Sequence, residues 1–193
     1  TLASILLHHV VAGEVRANAI TDGMMADTAN GDKVKFTIAG TTVKVGGANV
    51  TTPDVLSSNG IIHVIDRVLS PPVDVPATAQ TTGIHDTLVA AVIQAGLLPT
   101  LQGPGPFTVF APTDQAFIDA GVDLASLDTT EGRETLSDIL LYHVVAAEVP
   151  AANVTNCMSA DAVNGQPLSF GVGDGVTVNG ANVMMTDVIA SNG

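Results

Sequence analysis

Residues 1–31, TLASILLHHVVAGEVRANAITDGMMADTANG, return 134 positions later as residues 135–165, TLSDILLYHVVAAEVPAANVTNCMSADAVNG. From Leu2 to Gly31, 17 of 30 positions are identical, so one structural unit is written twice. After a one-residue deletion the match resumes. Val43–Val50 (VKVGGANV) pairs with Val176–Val183 (VTVNGANV), and Asp54–Gly60 (DVLSSNG) with Asp187–Gly193 (DVIASNG). Two whole units of about 134 residues do not fit into a chain of 193. The expected division is therefore the C-terminal half of a first unit at 1–70, with its front half absent. A linker follows at 71–82, then a second unit at 83–193 that lacks its last strand. The linker is expected to be extended, because Pro71, Pro72 and Pro76 fall in a stretch without periodicity.

Local pattern gives each unit a helical beginning and a strand-rich end. Leu2, Ile5, Leu6 and Val10 recur at helical spacing and predict an amphipathic helix over 1–11, repeated over 135–145. A further helix is predicted over 84–98, with Gly96 and Pro99 marking its end. Phe107–Ala111 reads as a strand stopped by Pro112, and Thr113 or Asp114 can cap the helix expected at 115–120. Ser126–Asp128 lies near another helix start. In the back half, 34–38, 43–45, 48–50 and 61–65 are β-branched or alternating, with Gly and Asn between them. Residues 168–172 and 176–178 repeat two of these runs. Early helices and late short strands imply an α+β unit.

Three motifs resemble those of fasciclin domains. Phe107-Thr-Val-Phe-Ala-Pro-Thr-Asp-Gln-Ala-Phe117 is similar to the first signature box of that family, Tyr142-His143 to its Tyr-His motif, and Asn59-Gly-Ile-Ile-His-Val-Ile-Asp-Arg-Val-Leu69 to its second box. The resemblance covers essentially the whole chain. It implies a β-sandwich wedge with flanking helices, in tandem copies, and a non-catalytic extracellular or cell-surface adhesion role. It marks Phe107, Phe110, Pro112, Thr113, Asp114, Phe117, His63 and Asp66 as structural motif residues, with the phenylalanines as core anchors. His143 is expected to be a buried, hydrogen-bonded histidine. In animal members the stretch around the Tyr-His motif, with an Asp-Ile pair, is a proposed integrin-binding surface. Asp138, Ile139, Tyr142 and His143 match those positions, whereas the first unit carries Ser4, Ile5, His8 and His9 there.

Composition narrows the function classes. The formal net charge of −13, with only 6 Lys and Arg, repels nucleic acid and anionic lipid headgroups. Hydrophobic residues at 46% against aromatics at 3% call for an aliphatic core. No apolar run approaches the roughly 18 residues of a membrane span. The lone Cys157 excludes an intrachain disulfide and a multi-cysteine metal site, and reads as a small buried apolar residue. His8, His9 and Glu14 match no common metal spacing, and no catalytic motif or calcium loop is present. Neither a cofactor nor a metal is expected. Asn49-Val-Thr51 and Asn153-Val-Thr155 are sequons, making Asn49 and Asn153 candidate glycosylation sites in a eukaryotic secretory setting. The expected partners are other proteins at a cell surface or in a matrix, and possible glycans. An alternative role is an accessory subunit on a larger membrane complex in a periplasm or thylakoid lumen. A third reading is apolar ligand binding between sheet and helices.

Overall fold

The Gly and Asn turns of the first unit close antiparallel hairpins. Gly46 and Gly47, both at positive φ, supply the two left-handed residues that a tight hairpin turn requires. In the computed structural model, which describes residues 1–193, the strands β1 (Met25–Asp27), β2 (Lys33–Ala39), β3 (Thr42–Val45), β4 (Ala48–Ser57) and β5 (Gly60–Ile65) form one sheet in that order. Every pairing in it is antiparallel. Strand residues alternate sides, so Val34 and Phe36 of β2 both point inward, joining Ile20, Val45, Ala48 and Leu69 in the core. Helix α1 (Leu2–His8) begins at Thr1, whose hydroxyl accepts the Ser4 N–H.

The chain divides into Thr1–Pro72 and Val73–Gly193. The second unit opens with α2 (Val75–Thr81), α3 (Asp86–Gln94) and α4 (Leu98–Leu101). Next come β6 (Thr108–Val109), α5 (Asp114–Asp119), α6 (Thr130–Tyr142) and β7 (Val144–Val145). A four-stranded sheet of β8 (Ser159–Asp161), β9 (Pro167–Val172), β10 (Val176–Val178) and β11 (Ala181–Asn182) completes it, and β6 pairs with β7. Strand alternation at β7 divides the interior. Val144 enters the helical core with Leu88, Ala91, Val92, Leu136 and Leu140. Its neighbour Val145 enters the sheet core with Ala162, Leu168, Phe170 and Val178. The fold is α+β, as the pattern of early helices and late strands predicts.

Several expectations need correction. The stretch 71–82 is not an extended linker throughout. The Asp74 side chain accepts the Ala77 N–H and starts α2, with Pro76 in its first turn, where proline costs no hydrogen bond. Helix 84–98 is broken at Ala95–Leu97, where Gly96 takes positive φ, and Pro99 lies in the first turn of α4 rather than ending a helix. The strand expected at 107–111 is only Thr108–Val109. The last long helix does start close to Ser126–Asp128, at Thr130 capped by the Thr129 hydroxyl, but it ends at Tyr142, and Val144 and Val145, expected in the helix, form β7. The predicted apolar stripe of α1 is exposed: Leu2 is 72% accessible, whereas its repeat counterpart Leu136 is 0%. In the second unit that position packs against residues of α3 and α5, and residues 1–72 carry no matching helices.

Candidate functional site

Helix α6 holds the residues singled out as a binding surface. Leu136 and Leu140 bury its inner face, so Asp138 and Ile139 turn outward, and Tyr142 and His143 follow one turn later. The Asp138 carboxylate accepts the Asn164 amide at 3.1 Å, and its main-chain carbonyl accepts the same amide at 3.3 Å. The Tyr142 hydroxyl donates to Pro167 O at 3.3 Å and accepts from Asn179 Nδ2 at 2.7 Å. Its ring meets the His143 ring edge-on, with centroids 6.3 Å apart. His143 is the C-cap of α6, half-buried rather than buried. Its Nδ1–H donates to Ile139 O at 2.8 Å, and its own carbonyl accepts the Phe110 N–H at 2.9 Å. The structure thus brings all four residues together on one helix end. Three of them are committed to internal hydrogen bonds, and Ile139, 39% accessible, is the apolar side chain left outward.

The remaining motif residues make packing and hydrogen-bond contacts within their own units. Phe117 lies in the helical core, with Phe107 packed against it, while Phe110 contacts Phe170 at a centroid distance of 5.6 Å. Half-buried Pro112 precedes Thr113, whose hydroxyl caps α5 by accepting the Ala116 N–H. Asp114 serves a different helix from the one expected. Its carboxylate accepts the Thr87 N–H at 2.7 Å, at the start of α3, which holds its pKa below the usual carboxylate range. In the first unit, Asp66 accepts the Asn49 N–H at 2.9 Å and the Asn49 side-chain amide at 2.6 Å. The Asn49 main-chain bond is the largest cause of its lowered pKa. His63 donates from Nε2 to Val15 O at 2.7 Å and accepts the Asp54 N–H at Nδ1.

The metal-capable groups of the first unit diverge. His9 donates from Nδ1 to Ile5 O and accepts the Leu69 N–H at Nε2, and Glu14 pairs with Arg16. His8 is buried beside the Thr28 hydroxyl, 3.5 Å away, and Asp32. Sequence reading missed this polar cluster, because its members are separated by a turn whose shape only coordinates give. The two sequons also differ. The Asn49 amide is taken by Asp66, whereas Asn153 is exposed in the short 3₁₀ turn Ala151–Asn153. Cys157 is exposed, contrary to expectation. It occupies a turn at φ +63°, where the first unit has Gly23 at φ +77°, and there its side chain points away from the core.

An open groove of about 840 Å³ runs beside α6, lined by Arg133, Glu134, Ser137, Asp138 and Leu141 among others. Its acid–base groups are surface charges. Arg133, for example, binds Asp128 Oδ1 at 2.6 Å. The groove is polar and open to solvent, and its charged side chains lie at the surface.

The fasciclin domain model matches residues 1–71 and 84–193. An uncharacterized protein of Synechocystis is 42% identical over 108 residues, covering 55% of this chain and 80% of that protein. Transforming growth factor-beta-induced protein ig-h3 of Sus scrofa is 28% identical over 193 residues, covering 98% of this chain. This chain spans only 28% of that relative's length. Among solved structures, the domain pair from the insect cell adhesion molecule fasciclin I superposes with a TM-score of 0.55 at 21% identity. That match covers 98% of this chain and 75% of the insect chain, a likeness of fold.

Proposed function

We propose, from the premise that this chain belongs to the fasciclin domain family, that it is a non-catalytic, extracytoplasmic protein-interaction module of the cell-adhesion type. The end of α6 in the second unit is its contact surface. One observation carries this reading: Asp138, Tyr142 and His143 are each held by internal hydrogen bonds, and what they frame is the outward Ile139 beside a polar groove. A fixed, partly apolar surface with a polar rim suits docking to another protein. The first unit has Ser4 and His8 where the second has Asp138 and Tyr142, so the binding duty falls to the second unit.

The test is capture from cell-surface and periplasmic extracts on immobilised protein, comparing wild type with Ile139→Asp and Asp138→Ala. A partner retained by wild type and lost from both variants, with unchanged circular dichroism, is the expected result. Equal capture by all three would overturn the assignment of the surface. Recovery in fixed stoichiometry with a membrane assembly would replace adhesion by the accessory-subunit role.

A further inference from the structure

The fold treats the two sequons in opposite ways. Asn49-Val50-Thr51 runs along β4. The Asn49 side-chain amide donates to the Asp66 carboxylate at 2.6 Å, and its main-chain N–H donates to the same carboxylate at 2.9 Å. The Thr51 hydroxyl donates to Val64 O on β5 at 3.2 Å. Both functional groups of this sequon are therefore engaged by β5 and by the residue that follows it. A sugar on the Asn49 amide nitrogen would take the space that the Asp66 carboxylate fills and break that bond.

Asn153-Val154-Thr155 leaves the 3₁₀ turn Ala151–Asn153, whose main chain is tied down. The Asp187 carboxylate accepts the Ala151 N–H at 2.9 Å, and the Asn153 and Val154 N–H groups donate to Pro150 O at 2.9 Å and Ala151 O at 3.2 Å. Val154 is extended, at φ −71° and ψ 126°, and packs against the sheet core of Leu168 and Phe170. Residues two apart in an extended chain share a side, so Asn153 and Thr155 both face away from that core. Both are exposed, and neither the Asn153 amide nor the Thr155 hydroxyl makes a hydrogen bond. The first unit repeats the arrangement with β5 in place. After its turn Ala17–Ala19, Ile20 is extended at φ −73° and ψ 128° and buried. Ala19 and Thr21, at the places of Asn153 and Thr155, are exposed there too. The outward facing thus belongs to the turn itself.

We propose that Asn153 is the acceptor of an N-linked oligosaccharide in a eukaryotic secretory pathway, and that Asn49 is not. The Asn153 Nδ2 bonds the anomeric carbon of a lipid-linked oligosaccharide. The bond from that carbon to the lipid pyrophosphate breaks, the pyrophosphate leaves with the electron pair, and one amide proton is lost to the transferase. The Thr155 hydroxyl, on the same side two residues on, completes the acceptor. The bulky, hydrated product needs open surface. At Asn153 it has that surface, costs no hydrogen bond of the turn and leaves Val154 in the core.

The test secretes the full chain from a eukaryotic host behind a cleavable signal. Peptide masses are mapped before and after an N-glycan amidase, which leaves aspartate at each occupied asparagine. Protein retained in the cell is mapped in the same way. One glycan, at Asn153, is expected. Asn153→Gln and Thr155→Ala should abolish the mobility shift, Thr155→Ser should keep it, and Asn49→Gln should leave it unchanged. A wild-type chain bare at Asn153 would overturn the proposal, as would a glycan at Asn49 on the secreted, folded protein or a shift that survives Thr155→Ala. None of these substitutions lies on α6, so partner capture at that surface is read separately and stands or falls by itself.

Discussion

Asn192 offers the sharpest test of what holds the second unit together. Its side-chain oxygen accepts the Val75 N–H at 2.9 Å. Its amide donates to Leu101 O at 2.8 Å and Gly103 O at 2.9 Å. One side chain thus ties the start of α2 to the end of α4 and the loop before β6. Asn192→Ala removes all three bonds and strands one donor and two acceptors in a half-buried setting. At about 1 kcal/mol per bond, with water relieving some of the loss, the expected destabilisation is about 2–4 kcal/mol. In urea, with a slope of about 2 kcal/mol per molar, the midpoint falls by about 1–2 M. The chain has one tyrosine, Tyr142, and no tryptophan, so intrinsic fluorescence reports on the second unit alone. Asn192→Asp should be worse than Asn192→Ala, because it keeps the acceptor for Val75 but sets an anion against two carbonyl oxygens. A midpoint within about 0.25 M of wild type for Asn192→Ala would refute the view that this residue organises the front of the unit.

Repeat-equivalent positions make a paired experiment. Leu136→Ala should cost about 3–4 kcal/mol by urea denaturation, whereas Leu2→Ala, at the same place in the first unit, should change stability by less than about 0.5 kcal/mol. Asp114 contributes to the acid response of the second unit. Its folded pKa is lowered by the Thr87 amide, so its contribution is complete above about pH 4 and fades as pH falls through the folded value. In acid titrations followed by Tyr142 fluorescence, Asp114→Asn should therefore flatten the stability loss below pH ~4, and an unchanged profile would count against the bond. Cys157 should react with a thiol reagent in the native protein at the rate of an exposed thiol. Cys157→Gly should leave stability equal or raise it by up to about 1 kcal/mol, since glycine accepts the left-handed backbone without strain. A thiol that reacts only in denaturant would contradict its placement.

Element types were legible where local chemistry sufficed. The strands expected at 34–38 and 168–172 lie at 33–39 and 167–172, and of the two caps offered, Thr113 and Asp114, Thr113 caps α5; the helix expected at 135–145 exists but runs from 130 to 142. Proline misled where it opened a helix instead of breaking one, at Pro76 and Pro99. Burial was the least legible property. The stripe of Leu2 and Leu6 reads like that of Leu136 and Leu140, yet what covers a face lies elsewhere in the chain, and pattern cannot supply it. The same limit hid Asp114, whose partner Thr87 lies 27 residues away. It also hid the exposure of Cys157, which depends on backbone handedness at a single turn.

The repeat itself separates scaffold from surface. His9 and His143, Asn49 and Asn182, Asp54 and Asp187 are identical in the two units. The histidines and aspartates among them serve the backbone: the histidines bond the carbonyl four residues back. Asp54 and Asp187, both at φ 55°, cap the short turns at Ala17 and Ala151 at 3.0 and 2.9 Å. A side chain that satisfies main-chain groups cannot be exchanged without orphaning them, so it recurs wherever the unit recurs. Ser4 against Asp138 and His8 against Tyr142 break the identity, and both lie on the helix end rather than in that bonding frame. In one unit this end is closed by Asp32 and Thr28, in the other by Asn164 and Asn179. The frame is thus common to both units while the helix end differs between them, as the contact surface proposed for α6 requires.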